Sequence, residues 1–415
     1  MAGVRIRSSP FLPLLLALGL CGCQRHGPVA TPSADDAPGM QADRLSVLRA
    51  ADQPGYALAD APRHFEFPQD HGPHPQFRHE WWYLTGQLTA AGGATFGFEL
   101  TVFRLALAPQ DGPPSATPAS AWRTRQVYAA HFAVTDVSRG RFFHATRYAR
   151  EALGLAGARA APFAVRVADW SVTEVPSVRT ADAAGQEPLS WQLQAADGDY
   201  RLQLDLRSLE SPVLNGEAGL SRKAPGAASY YYSMPHLRAS GTLTRAGAAL
   251  SVSGSAWLDR EWGSGSLGAD QQGWDWFALN LDDGSAVMFY ALRDRDGRRD
   301  THSAGTFVDA AGQATPLAND DVRISVQRRW KSPRGGQYPA QWDLQVGSQE
   351  LQLQVTPLLS DQELTTQPRY WEGAVEVRGR RRGAAVTARG YVELVGYAQA
   401  QAMPSTPSAS TAPGH

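Results

Sequence analysis

A pattern of strand, tight turn and strand recurs in this chain and limits what it can fold into. Trp191 and Leu193, the turn pair Asp197-Gly198, then Tyr200, Leu202, Leu204 and Leu206 alternate apolar and polar residues. Trp342, Leu344 and Val346, followed by Leu351, Leu353 and Val355, do so again. Side chains two apart on a strand share a face, so each run describes half of an antiparallel hairpin with one buried side. The likeness extends beyond these hairpins. WWYLTGQLTAAGGATFGFELTVFR (81–104) lines up with WDWFALNLDDGSAVMFYALRD (274–294), and SYYYSMPHLRASGTL (229–243) more weakly with RYWEGAVEVRGRRRG (369–383). SAWLDREW (255–262) lines up with RGYVELVG (389–396), which pairs Trp257 with Tyr391 and Asp259 with Glu393. All the pieces keep their order, which chance alternation does not produce. The sequence therefore predicts two related β domains, over 55–265 and 266–402. Each has more strands than one hairpin can bury. Closing each sheet into a small barrel removes its exposed edges and leaves room for one ligand.

The segment before these domains reads as a targeting signal. Arg5 and Arg7 precede an apolar run from Phe11 to Leu20, too short to span a bilayer comfortably. The run ends in Leu20-Cys21-Gly22-Cys23, a lipobox pattern. It predicts a signal peptide over 1–22, lipid attached to Cys23, and a flexible tether over 23–54. Gln24 follows Cys23 where an inner-membrane retention signal would place aspartate, so the expected address is the periplasmic side of the bacterial outer membrane. Both cysteines lie in this segment, leaving the mature body without thiol, disulfide or cysteine metal site. Residues 403–415 read as a disordered tail. With 39 basic against 40 acidic residues, nothing points to nucleic acid. Twelve tryptophans call for a deep core or an apolar pocket.

His79-Glu80-Trp81-Trp82-Tyr83, Ser229-Tyr230-Tyr231-Tyr232-Ser233, Gly254-Ser255-Ala256-Trp257-Leu258-Asp259-Arg260-Glu261-Trp262 and Tyr370-Trp371-Glu372-Gly373 resemble the AttH-like family. These proteins are also called predicted secreted hydrolases and are related to the carotenoid 1,2-hydratases. The resemblance covers about 55–400 and implies an all-β fold of two tandem lipocalin-like antiparallel β-barrel domains. It implies water addition to a terminal C=C bond in the hydratase branch, and an ABC-type permease as a partner of other members. In the hydratase branch the segment matching Tyr231 to Ser233 carries a histidine and a tryptophan, and the position matching Arg260 is often histidine. Asp259 matches.

Protonating an alkene needs a strong acid beside rings that tolerate a carbocation. A carboxyl in an apolar pocket stays protonated towards neutral pH. Asp259, with Trp257 on the same strand face and Tyr231 as a further ring, forms the expected catalytic set. Glu80, Trp82, Tyr232 and Glu261 are the expected ligand-binding set. Glu80 is either paired, with Arg104 or Arg260, or faces a ligand. Trp81 and Trp274 are expected to plug barrel ends. No cofactor or metal is called for. His71, His74 and His79 lack metal-site spacing, and Gly263-Ser264-Gly265-Ser266-Leu267-Gly268 has no helix behind it to hold a pyrophosphate. Three functions remain open. One is a membrane-anchored module binding a lipid or isoprenoid-like apolar molecule, together with a permease. Another is a hydratase using Asp259, and the third is a structural protein without ligand.

Overall fold

The computed structural model describes residue 48 and residues 54–109, 124–175, 189–208, 210–366 and 369–398. The expected signal segment, Cys23 and the tail lie outside the described residues, as does most of the expected tether. Leu48, inside that tether, has a carbonyl that accepts from the backbone N–H groups of Ser266 and Leu267 at 2.9 and 3.2 Å.

The described chain is antiparallel β. One sheet holds β1 (His79–Ala90), β2 (Thr95–Ala106), β3 (Gln126–Asp136), β4 (Arg141–Arg150), β5 (Ala156–Arg159), β6 (Ala164–Val167) and β7 (Trp170–Glu174). It continues through β8 (Leu189–Asp197), β9 (Tyr200–Ser208), β10 (Val213–Leu214), β11 (Leu220–Ala224), β12 (Ala227–Arg245) and β13 (Ala248–Gly265). The other holds β14 (Gln271–Leu281), β15 (Ala286–Asp294), β16 (Ala304–Val308), β17 (Ala314–Leu317) and β18 (Val322–Lys331). It is completed by β19 (Gln337–Val346), β20 (Leu351–Pro357), β21 (Glu363–Leu364), β22 (Tyr370–Arg381) and β23 (Ala384–Leu394).

The two strand orders correspond. The first runs β4-β3-β2-β1-β13-β12-β9-β8-β7 and continues to β6 and β5; the second runs β17-β16-β15-β14-β23-β22-β20-β19-β18. The sequence repeat is thus a repeat of topology, and register carries it to single residues. Tyr83 lies opposite Asp259, and Trp276 lies opposite Glu393. Around β12 and β22 the alignment from sequence is displaced by one residue. Ser233 lies opposite Asp259, while Glu372, rather than Gly373, lies opposite Glu393. The cause is local: β12 shifts register against β13 between Ala228 and Tyr230 and again between Met234 and Leu237. Such bulges insert residues that a strict period of two cannot foresee.

Each sheet curls until it is nearly closed. In the first, Arg147 on β4 reaches Asp169 at 3.3 Å and Asp197 at 2.7 Å and lies over the Trp170 ring at 4.5 Å. That brings β4 against the strands at the other end of the path. Alternate side chains fill each barrel, with Trp82, Phe98, Leu100 and Trp262 in the first and Phe277, Leu279, Trp342 and Trp371 in the second. Part of the outer faces is covered as well. Tyr83, Tyr231 and Trp257 from the first sheet pack with Trp276, Tyr290, Tyr370 and Tyr391 from the second, forming a third apolar cluster in the seam between the sheets. Trp81 and Trp274 pack on this seam rather than across a barrel end. The Gln87 side-chain amide also crosses it, donating to the carbonyls of Val375 at 2.7 Å and Gly390 at 2.9 Å.

The seam is tight at Gly97, where an added Cβ would stand 2.6 Å from the Cβ of Ala374. Gly97→Ala is expected to destabilise the protein by about 1–3 kcal/mol in urea denaturation. Gly92→Ala, where nothing lies within 4 Å, is expected to change stability by less than about 0.5 kcal/mol.

Candidate functional site

Antiparallel pairing of β1 with β13 sorts the charged residues of both strands onto two faces. Glu80, Trp82, Arg260 and Trp262 point into the first barrel. Trp257, Asp259 and Glu261 point into the seam. The predicted site residues are therefore divided. Glu80, Trp82 and Tyr232 stand together on the barrel side, and Asp259, Trp257, Tyr231 and Glu261 stand together in the seam.

On the barrel side Glu80 is completely buried and ion-paired. Arg104 donates to one of its oxygens, and Arg260 donates to the other at 3.0 Å. The backbone N–H of His74 adds a bond of 3.0 Å. Burial alone would raise the Glu80 pKa, but Arg104, His74 and Arg260 overcome it and hold the carboxyl well below the usual range. The Arg260 guanidinium lies 4.0 Å over the Trp82 ring, and the His74 ring stacks on Trp262 at 3.8 Å. Trp82 Nε1 donates to the His71 carbonyl at 2.9 Å. The Tyr232 hydroxyl shares a 2.6 Å hydrogen bond with His71 Nδ1. Burial, then Arg260, pushes the His71 pKa down to about 3, so this imidazole is neutral. Residues 63–78 thus close one end of the barrel over a buried polar network.

The seam side is built differently. Asp259 is buried and makes no ion pair within 4 Å among the described residues, the Lys223 ammonium being bound to Glu261 instead. Trp257 Nε1 and the Ser233 hydroxyl donate to its Oδ1 at 2.7 and 2.5 Å, and the Tyr231 hydroxyl donates to Oδ2. These donors are themselves held. Trp276 Nε1 donates to the Tyr231 hydroxyl at 3.1 Å, and the Asn215 amide donates to Ser233 Oγ at 2.9 Å. Burial dominates. It raises the Asp259 pKa, the three neutral donors lower it, and the charge of Glu261 raises it again, leaving the carboxyl pushed up to about 7. Glu261 is paired with Lys223 at 2.7 Å and also accepts from Ser229. The Lys223 ammonium lies 4.5 Å from the centre of the Tyr290 ring. The arrangement presents a carboxyl that carries a proton near neutral pH beside Trp257, Trp276 and Tyr231.

Three details correct or extend the sequence reading. Arg260 is tied to Glu80 on the far face, so its identity does not affect the contacts of Asp259. Ser233 and Tyr231, which depart from the hydratase pattern, both bond Asp259 directly. Trp276, Tyr290 and Lys223 were not singled out from the sequence because they reach the seam from distant segments. The repeat held one clue, since it places Trp276 where the first sheet has Tyr83.

Fold and site define a tandem barrel pair with a buried acid in the seam. The model of the AttH-like family matches residues 58–397, and the chain belongs to that family. It is similar over 82% of its length, at 37% identity and a TM-score of 0.69, to a crystal structure described as an AttH from Nitrosomonas europaea, of which 99% is covered. At 15% identity and a TM-score of 0.60, it shares the fold of kievitone hydratase from Nectria haematococca, over 83% of this chain and 97% of that one. No curated protein matches.

Two stability predictions separate the faces. Glu80→Gln leaves two buried guanidiniums without their counter-charge and is expected to cost about 3–5 kcal/mol in urea denaturation. Asp259 works in the opposite sense. Between the ordinary value of 3.8 and about 7 the folded chain holds a proton that the unfolded chain has released. Its stabilisation is complete below about pH 4 and is lost as pH rises through about 7. Asp259→Asn is therefore expected to raise the melting temperature at about pH 8 and to change it little at about pH 4.

Proposed function

We propose that this protein is a lipophile-binding enzyme of the hydratase type, with its reaction centre in the seam. The observation that carries the reading is Asp259, buried among rings with its pKa pushed up to about 7. In the reaction the Asp259 carboxyl gives its proton to one carbon of a C=C bond, and the π electrons form the new C–H bond. The adjacent carbocation is held against the faces of Trp257, Trp276 and Tyr231. Water adds its oxygen to that carbon and returns a proton to the carboxylate. The name of kievitone hydratase, a fold neighbour, agrees with this chemistry. An apolar, unsaturated substrate such as an isoprenoid suits the ring-rich seam. A lipid on Cys23 would hold the enzyme at the periplasmic face of the outer membrane, where such substrates partition, with an ABC-type permease as a supply or export partner. The two barrels act as two domains whose shared seam is the site.

A carrier function is the second reading. It is favoured by the donors to Asp259, which engage both oxygens and stabilise the ionised form.

Native mass spectrometry of the protein with an isoprenoid extract separates the readings. The enzyme reading predicts a bound compound that gains the mass of one water, with turnover reduced by about 10²–10⁴-fold in Asp259→Asn while the compound is still retained. Its rate falls as pH rises through about 7, as the acid loses its proton. Retention without any gain of water supports the carrier, and a clean apo mass contradicts both. Cys23→Ser is expected to release the protein from membranes; a variant that still floats with vesicles contradicts the anchor.

A further inference from the structure

Seven large apolar side chains are exposed among the described residues. Six of them, Leu58, Phe67, Leu107, Tyr148, Leu153 and Leu155, belong to the first barrel, and Val326 stands on the second sheet. Single apolar side chains on a surface need no explanation, but a group of them does. Hydrogen bonds between segments gather these. The Ala106 N–H donates to the Arg78 carbonyl at 2.7 Å, and the Tyr56 hydroxyl donates to the Ala106 carbonyl at 3.1 Å. The N–H of Leu107 donates to the Arg125 carbonyl at 2.7 Å, and that of Glu151 to the Gln126 carbonyl at 3.1 Å. Leu58, Leu107 and the segment 151–155 thus lead off from the end of the barrel where β1 begins and where β2 and β4 finish. Phe67 lies in the segment that closes this end, its ring 4.8 Å from that of His71. Tyr148 is two residues from the end of β4.

Two further features mark this end. Leu153 has a φ of 51°, a left-handed backbone that a bulky side chain rarely adopts and that glycine or asparagine takes at less cost. The chain holds this exposed leucine outward against its own preference. Three exposed arginines, Arg150, Arg159 and Arg166, stand around it, and Glu151 is the one acid between residues 148 and 166. Arg159 and Arg166 donate to the carbonyls of Pro162 at 2.9 Å and Gly154 at 2.5 Å, so their charge is not spent on carboxylates. Apolar side chains flanked by cations match a bilayer with anionic head groups, in which leucine enters the acyl boundary and arginine meets phosphate. The course of the chain agrees. Leu48 bonds the N–H of Ser266, and the Ser266 hydroxyl shares a 2.7 Å hydrogen bond with His79, the first residue of β1. The segment that begins at Cys23 therefore meets the body at this same end.

We infer that the first barrel docks this end onto an anionic membrane surface, with Leu58, Leu107, Leu153 and Leu155 entering the acyl boundary and the three arginines pairing with lipid phosphates. The surface uses none of the residues around Asp259 and is independent of the reaction proposed there. It adds to the proposed lipid on Cys23: the lipid holds the chain near the bilayer, and the docked end fixes which way the barrels face.

The test uses residues 24–415, which keep every described residue and lack Cys23, so that no attached lipid contributes. Flotation with vesicles of equal parts phosphatidylethanolamine and phosphatidylglycerol is expected to carry the protein, and vesicles of phosphatidylcholine alone to carry less of it. Leu107→Asn and Leu153→Asn are each expected to weaken binding to the anionic vesicles by about tenfold, the worth of one buried leucine. Arg150→Gln is expected to weaken it about fivefold, and only where phosphatidylglycerol is present. Val326→Asn, on the second sheet, should leave binding unchanged. All four side chains are exposed, so an unchanged melting temperature is expected and confirms that each variant is folded. No flotation of the unsubstituted chain, or flotation that Leu107→Asn and Leu153→Asn leave unchanged, overturns the docking surface and leaves the anchor on Cys23 to its own variant. Loss of a dimer in the two leucine variants, read by analytical ultracentrifugation, with vesicle binding unaltered, also overturns it and assigns the face to a second copy of the chain.

Discussion

Two carboxyls on neighbouring strands behave in opposite ways because β1 and β13 present alternate residues to different surroundings. On the barrel face Glu80 meets two guanidiniums and stays ionised. On the seam face Asp259 meets only neutral donors and keeps a proton towards neutral pH. Desolvation is similar at both sites, so the charge of the partners decides the outcome. Separating the pKa values of nearby acids in this way is how one scaffold assigns a structural role to one and a proton-transfer role to the other.

The seam exists because the chain repeats. A single curled sheet needs one apolar face for its own interior. Here the outer faces of β1, β13 and β12 are apolar as well, and they are covered by β14, β23 and β22. Duplication also explains why the polar content of the seam is organised as two unequal halves. One half satisfies its acid from within the chain, through Ser233, Tyr231 and Trp257. The other places Glu372 and Glu393 at the matching positions, with the Tyr83 and Tyr370 hydroxyls beside Glu372.

Much of the fold was legible in the sequence. Alternation located hairpins such as Trp191 to Leu206, and the aligned segments located the duplication, because both depend on the strict period of a strand. The alignment slipped by one residue at β22, where bulges in β12 break that period. The site was legible only in part. Period two put Trp257, Asp259 and Glu261 on one face, but nothing local distinguishes a face that looks into a barrel from one that looks into a seam. Glu80, Trp82 and Tyr232 were therefore placed with Glu261 in one ligand-binding set, although they stand on the opposite face. Trp276 and Lys223 enter through contacts between segments far apart in sequence, which periodicity does not report.

The central claim is that Asp259 carries a proton at neutral pH. Infrared difference spectroscopy, titrating the protein from about pH 5 to about pH 9, reads this directly as the C=O stretch of a protonated carboxyl. The account predicts a carboxyl band that disappears with a midpoint near 7 and is missing in Asp259→Asn. A spectrum with no carboxyl titrating in that window, or with a band that persists unchanged in Asp259→Asn, would contradict it.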